Sequence, residues 1–221
     1  FKPVDVSHYA EEYLFRFGKR VLLMSATLLN TEAFCSSVGI REDNCEFISL
    51  PSPFPKENRP IYVFPCGKMS RDNIDKTLPE MVKIVKELLK QHKEDKGVIH
   101  VHTYKIANYL KYHIRDKRLL FHDSYNREQV LNQHINSPEP TVLVSPSMTE
   151  GVDLYENLSR FQIVCKVPYP YLSPLVRKKM YKDKNYYPYE TAKTLIQSYG
   201  RSVRSETDHA STYILDSLFE E

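Results

Sequence analysis

Short apolar runs alternate along this chain with segments of helical periodicity, and this alternation limits the possible folds more than any other feature. Residues 141–145 and 161–167 are almost continuously apolar, as strands buried on both faces of a parallel sheet are. Similar runs predict strands at 21–27, 61–66, 97–103, 118–122 and 211–216, and the periodic segments predict helices at 31–38, 77–92, 105–115, 127–135 and 189–205. The pattern therefore predicts an α/β fold, with a mainly parallel sheet covered by helices on both faces.

The segment 77–92 is the clearest predicted helix. Thr77 and Glu80 have the spacing of a capping box, which predicts that the helix begins there. Its apolar positions recur at helical spacing and predict one buried face, formed by Met81, Ile84, Val85, Leu88 and Leu89. The lysines on the other side are expected to be solvated.

A proline-rich segment divides the predicted elements. Residues 51–60 contain four prolines, which block both helix and sheet hydrogen bonding. The predicted domains are therefore 1–50 and 61–221, joined by a connector at 51–60. The chain begins at Phe1 and continues directly into patterned sequence, which predicts that it is a piece of a longer protein.

Composition narrows the class of protein without indicating a partner. Hydrophobic residues make up 41% and charged residues 27%, as in soluble globular proteins. The net charge of +3 (31 minus 28) generates no strong overall field, so any nucleic-acid binding must come from local sites. No apolar run approaches the roughly 20 residues of a membrane span, and no signal peptide is visible. Four cysteines lack the spacing of a metal site and predict reduced core residues of a cytosolic or nuclear protein: Cys35, Cys45, Cys66 and Cys165.

The predicted helix at 189–205 carries an arginine-rich face. Gln197, Arg201 and Arg204 recur at i, i+4 and i+7, and guanidinium groups pair with phosphate through two parallel hydrogen bonds. Gly200 would lie within this helix, where it costs about 1 kcal/mol relative to alanine, so a ligand or another chain is expected to approach closely there. The opposite face is expected to be buried through Ala192, Leu195, Ile196, Tyr199 and Val203. The alternative is a solvated arginine face with an incidental glycine.

Polar residues that follow the predicted strands are the next candidates, because ligands of parallel sheets bind at the carboxyl ends of strands. Gly151 permits close backbone approach, and Asp153 can accept hydrogen bonds from a ribose or orient an arginine. A turn with a capping aspartate is the alternative for these two residues. Ser25 and Thr27 end another apolar run, which alone indicates no role.

A second strand end combines hydroxyl groups with histidines. Thr103 and Tyr104 lie where a strand passes into a helix, and free amides at that position form an anion site to which both hydroxyls can contribute. His100 and His102 share one face of the strand. Without a neighbouring carboxylate or cysteine they are better interpreted as core or interface residues than as metal ligands, and no metal site is predicted.

The order of these segments resembles that of superfamily-two helicases, specifically the XPD/DinG family. The runs VLLMSAT and LLNTEAFCSSVGI resemble the end of the first RecA-like lobe, and SPFPKENRPIYV resembles the crossing between the lobes. GVIHVHTYKIANYL, SPSMTEGVDLYENLSRFQIVCKVPYPYLSP and QSYGRSVRSETDHASTYILD resemble motifs IV, V and VI. The fold implied is a RecA-like lobe, the second of the two.

The resemblance implies roles for the arginine segment and for the loop at 150–153. Arg201 and Arg204 would reach the γ-phosphate of ATP bound on the other lobe, as arginine fingers, with Gln197 in support. Glu150, Gly151 and Asp153 would lie at the nucleotide edge of the cleft.

It also implies contacts to single-stranded DNA, mainly to its phosphates. Thr103, Tyr104, Ser147 and Thr149 would make these contacts. Ser25 and Thr27 would couple ATP hydrolysis to movement of the lobes.

Several family features are absent from the sequence. It contains no GxxxxGK[ST] phosphate loop, no DEAH-like acidic pair and no Gly-rich dinucleotide motif. The resemblance implies that ATP and Mg²⁺ are held mainly by a first lobe of the same parent chain, and that any iron–sulfur cluster lies there too. The fragment alone is expected to be inactive, with a cytoplasmic location, or a nuclear one in a eukaryote.

Two other functions are compatible with these residues. The chain can be a non-catalytic RecA-like module that binds single-stranded nucleic acid or a partner protein. It can also be an unrelated α/β transferase that holds a phosphorylated substrate on the arginine helix, although the order of the motifs disfavours this.

Overall fold

The chain divides into two compact units. The computed structural model describes residues 5–25, 27–146, 154–200 and 202–220. The helical unit comprises Phe1–Pro51 and Tyr169–Ile196, and the sheet unit comprises Ser52–Pro168 and Gln197–Glu221. The predicted domain boundaries at 50 and 60 stay a prediction. The grouping of 169–196 with the first 51 residues has no counterpart among the predicted domains.

The sheet unit is built on six parallel strands. They are β1 (Ile61–Gly67), β2 (Gly97–His100), β3 (Leu119–Phe121), β4 (Val142–Ser145), β5 (Phe161–Val164) and β6 (Ser211–Asp216). Their order across the sheet is β1-β6-β5-β2-β4-β3, and every pair is parallel. The all-parallel sheet confirms the predicted fold class, although β2 and β5 end three residues earlier than predicted.

Helices cover both faces of this sheet, as predicted. They are α3 (Ile74–Gln91), α4 (Tyr104–His113) and α5 (Arg127–Asn136). Side chains of α3 and α4 pack with Ile99 and its face of the sheet. Val98 and Leu143 point to the opposite face, where they pack with Val130 of α5. Alternating side chains of one strand therefore serve two separate cores.

The helical unit contains α1 (Ser7–Tyr13), α2 (Thr31–Val38), α6 (Pro174–Lys182) and most of α7 (Tyr186–Tyr199). The prediction for α2 is confirmed at both ends. The side chain of Asn30 accepts a hydrogen bond from the amide of Ala33 and begins the helix. Gly39 ends it at φ 72°, and a Cβ at this position would lie 2.2 Å from the carbonyl oxygen of Ser7. Short 3₁₀ turns occur at Phe15–Phe17, Glu42–Asn44, Lys56–Asn58, Glu156–Leu158 and Ser217–Glu220.

The predicted strand at 21–27 is wrong over its described residues. Residues 21–25 belong to no strand, and Leu22 and Met24 are 79% and 82% exposed. A buried parallel strand needs neighbouring strands to satisfy its backbone groups. The described part of the helical unit contains no strand that could pair with this one.

The predicted capping box at Thr77 is also wrong. Helix α3 begins three residues earlier, at Ile74, and the Thr77 hydroxyl donates to the carbonyl oxygens of Lys68 and Asn73. Glu80 pairs instead with Lys83 on the exposed side. The predicted apolar face is confirmed, since Met81, Val85, Leu88 and Leu89 are buried and Ile84 is partly buried.

Candidate functional site

The turn between β2 and α4 places Thr103 and Tyr104 at the carboxyl edge of the sheet. His102 adopts φ 53°, which turns the chain sharply at the end of the strand. The Thr103 hydroxyl accepts a hydrogen bond from the amide of Ile106 at 3.3 Å and so caps α4. The proton of this hydroxyl remains available for an external acceptor, and Tyr104 is 48% exposed beside it. This strand end therefore presents two hydroxyl groups at a helix N-terminus.

Both histidines at this turn are neutral, and His100 belongs to the interior. His100 is buried and its Nε2 lies 3.2 Å from Oε1 of Gln162. Burial lowers the pKa of His100 to about 4, and burial together with the neighbouring His100 and Lys166 lowers the pKa of His102 to about 3. Nδ1 of His100 and Nε2 of His102 are buried and have no hydrogen-bond partner among the described residues. The interpretation of His100 as a core residue is confirmed.

Five of the six predicted site residues that lie outside the described part of the chain fall between Pro146 and Leu154. They are Ser147, Thr149, Glu150, Gly151 and Asp153. The described chain ends at Pro146 before them and resumes at the buried Leu154. Their assigned roles stay predictions.

The arginine segment is not one continuous helix, which corrects the prediction. Helix α7 ends at Tyr199, so Gly200 follows the helix rather than interrupting it. Gln197 lies half-buried in its last turn, whereas Arg204 lies in the following loop with its side chain exposed. Arg201 lies outside the described residues. Glycine is a poor helix former and is common just after a helix end, which accounts for the early termination.

The predicted buried face of this segment is also only partly right. Leu195 and Val203 are buried, but Ile196 is 41% exposed. The buried residues of α7 include Thr191 and Ser198. The buried side of the helix therefore includes two small polar side chains that the prediction did not place there.

Asp208 fixes the backbone of the Arg204 loop. Its Oδ2 accepts hydrogen bonds from the amides of Arg204, at 3.2 Å, and Glu156, at 3.0 Å. Its Oδ1 pairs with Nη1 of Arg160 at 2.7 Å and accepts from the amide of His209. Glu156 adopts φ 53° soon after residues 147–153. One buried carboxylate therefore joins the segment that follows those residues to the segment that carries Arg204.

The charge of Asp208 is stabilised by these donors. Burial by itself raises the pKa of the Asp208 carboxyl, but the amides of Glu156, Arg204 and His209, with Arg160, more than offset it. The net pKa lies below the ordinary value, so the group is ionised at neutral pH. A second contact reinforces the junction, since the Ser202 hydroxyl donates to that of Ser159 at 2.8 Å.

The strand ends are held together by Asp216. This buried residue accepts hydrogen bonds from the amides of Met69 at 3.0 Å, Val167 at 2.9 Å and Leu218 at 3.2 Å. These amides belong to the segments that follow β1, β5 and β6. The sequence shows an aspartate at the end of a strand, but its three partners are far apart in the chain and leave no local pattern.

Ser25 and Thr27 lie close to each other within the helical unit. Their hydroxyl oxygens are 3.3 Å apart, and the amide of Thr27 donates to the Ser25 hydroxyl. Thr27 is buried and Ser25 is exposed. Their coupling role stays a prediction.

The cysteines and carboxylates form no metal site among the described residues, where no group of three or more potential ligands occurs. All four cysteines are free thiols, with Cys35 and Cys165 buried as predicted. Burial raises the pKa of Cys66 to about 11, which keeps this thiol protonated. No helix in the described ranges is long and apolar enough to cross a membrane.

The relatives and solved structures described next are all DinG or XPD helicases. An ATP-dependent DNA helicase DinG from Photobacterium profundum is 28% identical over 97% of this chain, which spans 34% of that protein. A solved XPD helicase matches all of this chain with a TM-score of 0.74 and 17% identity, over 43% of its own length. Xpd4 of S. tokodaii matches 82% of this chain with a TM-score of 0.62 and 18% identity, over 38% of its own length.

The family of this chain is shown by a match over residues 85–221, most of which belong to the sheet unit. Residues 85–221, more than half of the chain, match the family of helicase C-terminal domains. This match begins in α3 and extends through the Thr103 turn, the Asp208 junction and β6. The chain therefore belongs to the helicase C-terminal domain family, as its resemblance to the second lobe of XPD/DinG helicases predicts.

Proposed function

We propose that this chain is the C-terminal motor lobe of an ATP-dependent DNA helicase of XPD/DinG type. In this role it supplies arginine fingers to ATP hydrolysis and holds single-stranded DNA. The observation that carries the proposal is the Asp208 junction. Because the amides of Glu156 and Arg204 donate to the same carboxylate oxygen, the segment that follows residues 147–153 and the segment that carries Arg204 are anchored to one point.

The anchored backbone suits an arginine finger. Arg204 extends from a loop whose amide is fixed by a buried, ionised group, while its side chain is exposed. A guanidinium group stabilises the negative charge that develops during phosphoryl transfer, and such an arginine contributes about 10³–10⁵ in rate. Arg201 shares this role, and Gln197 supports the contact from the end of α7.

The remaining nucleotide contacts are assigned to residues 150–153. Glu150, Gly151 and Asp153 lie at the nucleotide edge of the cleft in this proposal. ATP and Mg²⁺ are held mainly by the first RecA-like lobe of a longer chain, and an iron–sulfur cluster, where present, belongs to that part too. The residues described here include no acidic cluster suited to Mg²⁺. We therefore expect the 221-residue chain alone to hydrolyse no ATP.

The DNA surface is assigned to the carboxyl edge of the sheet. The Thr103 hydroxyl retains a proton to donate, and the exposed Tyr104 lies at the first position of α4. Helix N-termini and hydroxyl groups suit phosphate oxygens, so these contacts are largely independent of base sequence. Ser147 and Thr149 extend the same surface. Ser25 and Thr27 of the helical unit transmit the nucleotide state to the lobes.

The test uses the full-length protein. Arg204→Ala should lower ATP turnover by about 10³-fold or more, while ATP binding remains nearly intact. Arg41→Ala is the matched control, because Arg41 is also an exposed arginine outside helices, paired only with Asp43 among the described residues. Unchanged turnover in Arg204→Ala would contradict the arginine-finger assignment.

The alternative of a non-catalytic binding module makes a different prediction. Such a protein binds single-stranded nucleic acid but shows no ATP turnover in its full-length form. A measurement of DNA-stimulated ATP hydrolysis by the full-length protein therefore separates the two functions.

A further inference from the structure

An open groove lies between the C-terminal ends of α3 and α4 in the sheet unit. Its volume is about 520 Å³. Five cationic side chains line it: Lys86, Lys90, Lys93, Arg115 and Arg118. Its lining also includes Tyr112, and Asp116 is the one carboxylate among these residues.

The side chain of Arg118, which lines the groove, is held in place by several hydrogen bonds. Its guanidinium group donates to the carbonyl oxygens of Leu89 and His92, both at 2.8 Å, and pairs with Asp116 at 2.8 Å. These bonds join the end of α3 to the segment before β3. The Asp116 charge is thereby used within the wall and is not available to neutralise the other cations.

Two of the cations lack any partner in the described part of the chain. Lys90 pairs with Glu87, and Lys93 lies 3.8 Å from Glu94. Lys86 and Arg115 form no ion pair or hydrogen bond with described residues, and both are exposed. Ion pairs between exposed side chains contribute little, so the groove presents a net positive surface.

An exposed aromatic ring borders these cations. Tyr112 is 82% exposed, and its ring meets that of His113 edge-on, with the centroids 4.9 Å apart. Lysines near a helix C-terminus also complement the helix dipole, which alone would explain Lys86 and Lys90. The helix dipole does not explain Arg115, which lies beyond the end of α4. It does not explain the exposed Tyr112 either, because tyrosine is uncharged. Cations beside an exposed ring are instead the combination that binds single-stranded nucleic acid.

The groove is separate from the candidate site. It lies where α3 and α4 end, next to the amino ends of β2 and β3, whereas Thr103 and Tyr104 lie at the carboxyl edge. Helix α4 has 10 residues, so its two ends are roughly 15 Å apart at about 1.5 Å per residue. A ligand in the groove therefore need not displace one at Thr103.

We propose that this groove is a second binding site for single-stranded nucleic acid. Lys86 and Arg115 contact backbone phosphates, and Tyr112 stacks on a base. A duplex offers the phosphates without accessible base faces, and free polyphosphate offers the phosphates alone, so both bind more weakly. The site requires neither ATP nor a second lobe.

The experiment measures binding of a fluorescent oligothymidine to the full chain by anisotropy over a series of salt concentrations. Lys86→Glu/Arg115→Glu should weaken binding and make the slope of log affinity against log salt shallower by about 1.4, for two lost phosphate contacts. Lys86→Gln/Arg115→Gln should change both quantities in the same direction. Tyr112→Ala should weaken binding with the slope unchanged.

The control variant Lys83→Glu/Lys111→Glu carries the same charge change on exposed positions of α3 and α4, outside the groove lining. It should leave most of the affinity intact. Equal losses in both double variants, or no loss in either groove variant, would overturn the proposal. Competition by tripolyphosphate or duplex as effective as that by unlabelled oligothymidine would overturn the single-strand assignment.

Discussion

The backbone amide of Arg204 donates a hydrogen bond to the buried carboxylate of Asp208, with a distance of 3.2 Å. Three residues separate them, and the same carboxylate also holds Arg160 and Glu156. The loop that carries the candidate arginine finger is thus fixed by its backbone, and the exposed side chain remains oriented outward. Asp208 acts on the candidate chemistry through Arg204, which makes it a positioning residue.

We expect Asp208→Asn to reduce ATP turnover in the full-length protein. Asparagine preserves the size of the side chain but has one acceptor oxygen instead of two and no charge for Arg160. The Arg204 loop then loses part of its support, so the guanidinium group is less well positioned in the transition state. Steady-state kinetics should show a lower kcat with little change in KM for ATP.

A double-mutant cycle distinguishes positioning from a general loss of structure. If Asp208 acts through Arg204, then Asp208→Asn should cause almost no further loss of turnover in an Arg204→Ala background. Asp183→Asn is the control, because Asp183 also accepts a backbone amide, that of Asn185, within the helical unit. Fully additive losses would show that the two residues act independently.

The sequence predicts well those elements whose ends are marked by residues with a specific backbone role, such as a helix cap. Helix α2 lies where predicted because Asn30 caps its start and Gly39 permits its left-handed end. Strand β6 spans the predicted residues 211–216, where β-branched and aromatic side chains favour a strand. The run at 21–27 looks equally apolar, yet its strand depends on neighbours that local sequence does not reveal.

A second expectation concerns Tyr104 at the start of α4. Tyr104→Ala should weaken binding of single-stranded DNA, because the variant loses the phenol hydroxyl that donates to a phosphate oxygen, and a hydrogen bond to a charged group is worth about 1.5–3 kcal/mol. The slope of log affinity against log salt concentration should hardly change, since a neutral tyrosine neutralises no phosphate charge. Anisotropy titrations at several salt concentrations measure both quantities.

Tyr13→Ala is the matched control for this variant. Tyr13 is also an exposed tyrosine, 67% accessible, but it belongs to α1 of the helical unit. Affinity unchanged in Tyr104→Ala, or lowered equally in both variants, would exclude Tyr104 from the DNA surface.

Mild acid should destabilise the fold through His100. Its pKa is lowered to about 4 by burial, against about 6.5 in an unfolded chain. Between these values the unfolded state binds more protons, so the free energy of unfolding falls as pH drops from about 6.5 to about 4. His134, with a pKa lowered to about 4 by burial, contributes in the same direction.

His100→Gln should remove part of this pH dependence. Urea unfolding at pH 7 and pH 5 should show a smaller difference between the two pH values in the variant than in the unmodified chain. The exposed His113 provides the control, and His113→Gln should retain the original difference. An identical pH dependence in all three proteins would contradict the buried, neutral state of His100.

The candidate site was harder to predict than the fold. Thr103 was correctly placed at a helix start, because a threonine that ends an apolar run is a common cap. The arginine spacing predicts Arg204 on a helix, but Arg204 lies in a loop, because the helical spacing continues past Gly200 in the sequence although the helix ends at Tyr199. Asp208 had no sequence signal beyond an acidic residue after the arginines, because its role depends on Glu156 and Arg160 from a distant segment.

Asp216 should stabilise the sheet unit more than any exposed carboxylate. Its two oxygens accept the amides of Met69, Val167 and Leu218, so Asp216→Asn leaves at least one buried amide facing an NH₂ group. Each amide without an acceptor costs about 1–3 kcal/mol. Urea unfolding should therefore show a lower midpoint with an unchanged m-value. Asp72→Asn, at an exposed position before α3, should leave the midpoint almost unchanged; equal midpoints in the two variants would show that the strand ends do not depend on Asp216.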